Sequence, residues 1–467
     1  MFHSQAFSAM RNLIRLVAVL ALLAAILSPA ANPAKAADGI NRYVSPSGSN
    51  TTDCASAATP CRTITYALTQ SAAGDTLLLD VGVYTENLVI SMNIRIVQNP
   101  AKACPQSGSL NYVPCAIIDG GDSGRLIDIT DHSSLVSLEK LTIRSGYVTD
   151  SSGAGIRNNG ILTLDDVRVH DNIINLTNPT TDSSNFPYRG GAIDNQNTLT
   201  IRSSTVHNNN AFDGGGISST GALTVQNTEF YENAAVRFGG GIWIPYGSVS
   251  TLENSTLWGN YAGVGGGAMY INSDGVPGNR GQPHVFKNVT ISGNTGVGFG
   301  GGLTSILQVT IDHSTISQNI APGSGADLTL SEAQTLPESG FAHSLISNTI
   351  ISNVAATQPL CSITGIDTFV LSGGGNLSSD HSCDFTLPSD LIDSNPLLMA
   401  LADNGGHVRT RALSGGSPAI DHAGPYVLGA DACGIAPKDG DLNGSILPDV
   451  GAFEYIPGSI FLPIVMR

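Results

Sequence analysis

The feature that most constrains this chain is one phrase written repeatedly: a short apolar strand, an isolated asparagine, then glycines and another strand, as in "FYENAAVRFGGGIWI" at 230–244. Variants read "RVHDN" then "GGAI", "TVHNN" then "GGGI", "TLWGN" then "GGGA", "TISGN" then "GGGL", and "TISQN" then "GSGA". Aligning them gives Asn172, Asn209, Asn233, Asn260, Asn294, Asn319 and Asn353, with Gly146 one unit earlier. Three residues before stands an apolar column of Ile143, Val169, Val206, Phe230, Leu257, Ile291, Ile316 and Ile350. Eight before stands another, of Leu138, Leu164, Ile201, Val225, Leu252, Phe286, Ile311 and Leu345. Four before, threonine recurs at Thr142, Thr205, Thr256, Thr290, Thr315 and Thr349. The alternation is that of strands, and no unit carries a helical stripe.

Uninterrupted units are 24, 27 or 25 residues apart. A fixed period of that size, with short strands, predicts an all-β right-handed parallel β-helix, because one coil cannot bury its inner face alone. Coils stacked about 4.8 Å apart then share a continuous core. Asparagine at a turn accepts left-handed geometry, and repeated at one corner its amide can donate to the next coil. Glycines at the next corner permit positive φ and close approach. A polar column six before the asparagine (Asp166, Ser203, Asn227, Asn254, Asn288, His313, Ser347) marks the remaining corner, so three strands per coil are expected.

"GGAI" at 190–193 and "FYEN" at 230–233 resemble the repeats of polymorphic outer-membrane proteins, and the wider pattern resembles pectate-lyase-like β-helices. Upstream, "YVSPSGSNTTDCASAATPCRTITYAL" and "AGDTLLLDVGVYTENLVI" resemble the usual opening of such proteins, implying a capping helix near 63–71 and then the first coils. A cap covers strand edges that an open first coil would expose. "NPLLMALADNGGHVRTRALSGGSPAIDHAG" and "DVGAFEY" resemble the C-terminal module of choice-of-anchor Q domain proteins, which implies a secreted or surface-bound β-helix without assigning an activity. That family has an arginine before the ending, absent from "GADACG" at 429–434.

Arg11 and Arg15, the apolar run 16–27 and Ala34-Lys35-Ala36 read as a secretory signal, too short to span a bilayer. Its removal leaves 18 cations against 37 acids, a net charge of −19, which disfavours nucleic acid and anionic lipid. A polysaccharide or cell-surface component is the expected partner. The expected organisation is a signal (1–36), cap and first coils (37–135), repeats (136–355), final coils with the C-terminal module (356–455) and a short apolar tail (456–467). The tail reads as a last strand or a docking tag. Seven cysteines suit an oxidising compartment, and the sequence-local pairings are Cys54 with Cys61, Cys104 with Cys115 and Cys361 with Cys383, leaving Cys433 as a buried thiol.

Two residues before each asparagine runs Arg144, His170, His207, Tyr231, Trp258, Ser292 and Ser317. Alternation turns this column outward, where it serves equally as a sugar-binding strip or as a row covering a corner. Insertions at 173–189 and 272–283 interrupt the coils at different corners. A polysaccharide lyase would need a base and a means of neutralising a uronate; Arg157 and Asp194, on successive coils, are the catalytic candidates, and an ion pair explains them as well. Asp119, Asp122, Asp128 and Asp131 form a further acidic group. "DGDLNG" at 439–444 matches the first half of a calcium loop, with Asp439, Asp441 and Asn443 as ligands, Gly444 at the turn and Asp449 beside the twelfth position. No nucleophile elbow, zinc spacing or phosphate loop is present. The reading is a glycan-binding, non-catalytic protein that requires no cofactor; the alternatives are a polysaccharide lyase or hydrolase and a passive extracellular structural protein.

Overall fold

Side chains three residues before each asparagine meet in register from coil to coil: Ile143 beside Val169, then Val206, Phe230, Leu257, Ile291 and Ile316. None is more than 2% exposed. In the computed structural model, which describes residues 39–102, 104, 114–176, 188–245, 248–272, 283–331, 343–354, 357–364, 370–424 and 429–458, this stacking builds an all-parallel β-helix. Its faces are sheets of twelve, eleven and ten strands, joined by a six-stranded strip of two- and three-residue strands. Six consecutive coils therefore have a narrow fourth face besides the three full ones, not three alone. The central apolar cluster is continuous from Val44 to Phe385. The signal segment 1–36, most of the first insertion (177–187) and of the second (273–282), and the tail from 459 lie outside the described residues.

The capping helix, α1 (Ile64–Gln70), buries Ile64, Ala67 and Leu68 against the first coils. Thr63 is its N-cap, accepting from the Tyr66 amide at 3.2 Å. Glu86 accepts from the amides of Ile64 and Thr65, both at 2.8 Å, so the acid of the Gly82-Val83-Tyr84-Thr85-Glu86 motif sits at the positive end of the helix. The Tyr84 hydroxyl donates to the carbonyls of Val44 and Asp80, fixing the first bend.

The asparagines form a buried amide ladder. Each Nδ2 donates to the next Oδ1, from Asn172 to Asn209, Asn233, Asn260, Asn294 and Asn319, at 2.9–3.0 Å. The left-handed turn belongs to the residue before: Ser145, Asp171, Asn208, Glu232, Gly259, Gly293 and Gln318 all have positive φ. Asparagine is thus selected at this column for its amide, not its backbone freedom. Asn353 does not join. The next coil slips by one residue, pairing Ile316 with Ile351 and Ile311 with Ile346, so Leu345 is half-exposed and Asn348 replaces Ser347 at the left-handed corner. The ladder ends on Asp327, whose Oδ1 accepts from Asn319 Nδ2 at 2.7 Å. The glycine corner obeys steric demand: Gly239 has φ 63°, and a Cβ on Gly240 would lie 2.4 Å from the Tyr261 carbonyl.

All three cysteine pairs are bonded as expected, and Cys433 is a free, half-buried thiol whose pKa burial pushes up to about 12. After the last coil the chain forms an antiparallel pair, Leu398–Ala402 with Thr410–Leu413, and lies along the eleven-stranded face. Two of the recurrent threonines bond it. Thr256 Oγ1 donates to the Arg409 carbonyl at 2.5 Å, and Thr315 Oγ1 accepts from the Ala452 amide at 3.1 Å. Among the described residues no helix is long and apolar enough to cross a membrane.

Candidate functional site

The outward column two residues before the ladder stacks ring on ring. His170 and His207 lie 4.7 Å apart, His207 and Tyr231 4.4 Å, Tyr231 and Trp258 4.7 Å, with interplanar angles of 5–7°. These spacings equal the coil rise, so each ring covers the faces of its neighbours and turns only edges outward. The expectation of an open strip is corrected accordingly. His207 is 6% exposed, Ser292 and Ser317 are buried, and Arg144 is held by Asp119, with Nε 2.8 Å from Oδ2. Trp258's remaining face is covered by the Arg409 guanidinium at 4.9 Å. That arginine also binds Glu229, by its amide at 2.6 Å and Nη1 at 2.7 Å. Burial lowers His207 to about 3, aided by His170 and Arg168, and lowers His170 too, so the ladder is uncharged at neutral pH.

Beside the ladder, where the C-terminal segment stands away from the flank, runs a groove of about 1050 Å³. Its wall crosses four coils, from Glu139 and Lys140 through Asp166 and Arg168 to Ser203, Thr205 and Tyr231. Asp403 and His407 form the facing side. Four coils span about 14 Å, room for several linked sugars. Charges of both signs line it: burial raises Asp166, while Lys140 and His407 oppose the shift. Such a lining offers hydrogen bonds to hydroxyls and no excess of positive charge to select a polyanion.

Arg157 and Asp194 are register neighbours on the ten-stranded face, as expected, but neither has the expected role of an exposed partner. Arg157 turns back to Asp128, with Nε 2.8 Å from Oδ1, and that bond holds the guanidinium above its ordinary range. A guanidinium held this way is a poor proton acceptor. Asp194 is 4% exposed, accepts from Gln196 Nε2 at 2.8 Å, and is raised chiefly by burial. Both line a cavity of about 600 Å³ with Arg125, Arg189, Tyr188 and Thr220. The other early acids are dispersed: Asp119 serves Arg144, Asp128 serves Arg157, and Asp131 accepts from Ser133 and Ser134.

The calcium-like loop keeps its sharp turn at Gly444 (φ 92°) and closes on Asp439 through the amides of Asn443 and Gly444 at 3.0 and 2.9 Å. The acid that joins Asp439 and Asp441 is Asp421, their oxygens lying within 4.8 Å of one another. Asp449 is excluded. It is buried, accepts from the amides of Asp421 and Tyr455, and burial beside Glu454 raises it to about 8. Asn443 donates to Asp441 Oδ2 at 2.7 Å and its own Oδ1 accepts from Ser445. The donor set is hard oxygen and suits calcium in type.

Sequence reasoning missed Arg409, Arg411, Asp421 and Asp327. Arg409 and Arg411 stand two apart at the start of the strand Thr410–Leu413 in a chain only 12% charged, and that spacing is a signal that both serve one surface. Asp421 and Asp327 meet their partners only through the folding of distant or shifted segments.

No family model and no curated protein matches the chain. Among solved structures it is similar to the pectate lyase Pel9A, at 15% identity and TM-score 0.53, over 89% of this chain and 96% of that one. A rhamnogalacturonan lyase aligns at 13% identity and TM-score 0.46, over 81% and 96%. The first likeness shows the fold: a right-handed parallel β-helix like that of the pectate lyase.

Proposed function

We propose that this is a secreted β-helix protein that binds polysaccharide non-catalytically in the groove between the stacked-ring flank and the C-terminal segment. The groove itself carries the reading: it is long, polar, of mixed charge and continuous over four coils. Three disulfides, the signal-like first 36 residues and the choice-of-anchor-type ending support an extracellular or cell-surface setting. A calcium ion in the loop of Asp421, Asp439 and Asp441 belongs to this reading as a structural element, since it would relieve the repulsion of the clustered acids. Cleavage of an acidic polysaccharide is the second reading, favoured by the raised acid Asp194 in a cavity with three arginines.

The test presents neutral and acidic polysaccharides to the protein, with and without calcium, and reads both retention and new chain ends. Retention without cleavage, reduced about tenfold by Tyr231→Ala or Arg168→Ala, is the expected result. New unsaturated or reducing ends, lost in Asp194→Asn, would replace it with the enzymatic reading. Neither retention nor cleavage would leave a passive structural role.

A further inference from the structure

The cavity on the ten-stranded face contains a cation that forms no salt bridge among the described residues. Arg189 stands where the first insertion rejoins the coil, and its guanidinium carbon lies 4.5 Å from the centroid of the Trp243 ring. Trp243 is 3% exposed, so the ring is a fixed backing plate for the guanidinium plane. Among the described residues no carboxylate comes within 4.0 Å of Arg189, and its Nε is buried with no hydrogen-bond partner. The two neighbouring arginines are engaged. Arg157 is bound to Asp128; Arg125 donates to the Ser152 and Gly153 carbonyls and reaches Asp128 at 3.5 Å. Asp194 is the acid that acts on Arg189 from within the cavity, and burial biases it toward its neutral form, which weakens it as a counter-ion.

A planar guanidinium held flat against an aromatic ring, with an unsatisfied and desolvated N–H, is preorganised for a carboxylate. Ser151, Ser152, Gln196 and Thr220 surround it with hydroxyl and amide groups of the kind that bond sugar hydroxyls. The chain as a whole carries a net charge of −16, so a densely charged polyanion is repelled before it arrives. We propose that this cavity is a binding site for an isolated uronate unit of an otherwise neutral glycan, with Arg189 taking the carboxylate and Trp243 holding Arg189 in plane. The site is independent of the groove on the eleven-stranded flank and needs no bond cleavage.

The experiment is calorimetric titration of the full chain with xylotetraose bearing one glucuronate branch, with the methyl ester of that branch, and with unbranched xylotetraose. The acid is expected to bind saturably and about tenfold or more tighter than its ester. Arg189→Gln removes that preference, while Tyr261→Ser, at an exposed position of the six-stranded strip outside both the cavity and the groove, leaves it unchanged. Circular dichroism checks that the variants fold; if Arg189→Gln does not, Arg189→Lys, which keeps the charge but loses the planar fork, is expected to lose most of the preference. Equal affinity for acid and ester, undiminished preference in the folded Arg189 variant, or no binding of the acid at millimolar concentration overturns the proposal.

Discussion

Asp327 shows how much one side chain can be altered by its place in the stack. It is fully buried at the end of the asparagine ladder, Oδ1 bonded to Asn319 and Oδ2 without a partner. Burial raises its carboxyl to about 8; Asp380 adds to the shift, and the Asn319 bonds and Arg411 oppose it. The folded-state value lies above the unfolded one, so below about pH 4 both states are protonated and stability is intact. As pH rises the unfolded chain ionises first, and stability falls until the folded carboxyl also ionises near 8. Thermal unfolding is therefore expected to shift down by several degrees between pH 5 and pH 8. Asp327→Asn keeps the acceptor for Asn319 and removes the charge, so it is expected to lessen this dependence, to which buried Asp449 also contributes, and raise the unfolding temperature at pH 8. An unchanged slope would show that the carboxyl is not held protonated.

At the scale of elements, the stacked rings and the C-terminal segment depend on one another. Glu229, 7% exposed, is bonded by Arg409 and, at 3.4 Å, by Trp258 Nε1. Arg409→Ala leaves that acid buried without its cation and uncovers a face of Trp258, a loss of about 2 kcal/mol or more. The expected signature is a red shift of tryptophan emission with little change in far-ultraviolet dichroism, because the coils themselves are held by the ladder. Emission unchanged from the parent would mean that the segment does not rely on this pair. In the loop of Asp421, Asp439 and Asp441, burial raises Asp421; the Asp441 amide opposes that shift and the Asp441 carboxylate adds to it, a repulsion a divalent cation would remove. Millimolar calcium is expected to raise the unfolding temperature by a few degrees, an increment lost in Asp439→Asn combined with Asp441→Asn. An equal rise in that double variant would assign the effect to calcium bound elsewhere.

Across the whole molecule, repetition decided what could be read in advance. Phe230 over Leu257, Asn233 over Asn260 and Gly240 over Gly267 repeat the same contact in successive coils, so their period in the chain already states their neighbours in space. The three disulfides were legible for a related reason, since each is local, and the capping helix was implied by the resemblance of its segment to the usual opening of such proteins. Where the period breaks, the reading breaks. The one-residue slip at Ile346 and Ile351 moved Asn353 off the ladder, and Asp327, eight residues beyond Asn319, took its place. The sequence by itself determined a parallel β-helix, its inward columns and its amide ladder, because coil stacking turns periodic spacing into contact. Only the tertiary structure decided what covers the outside: that Arg409 closes the ring ladder, that Arg157 turns to Asp128 rather than Asp194, and that Arg189 rests on Trp243. Those contacts join segments that share no period, and no spacing along the chain encodes where such segments meet.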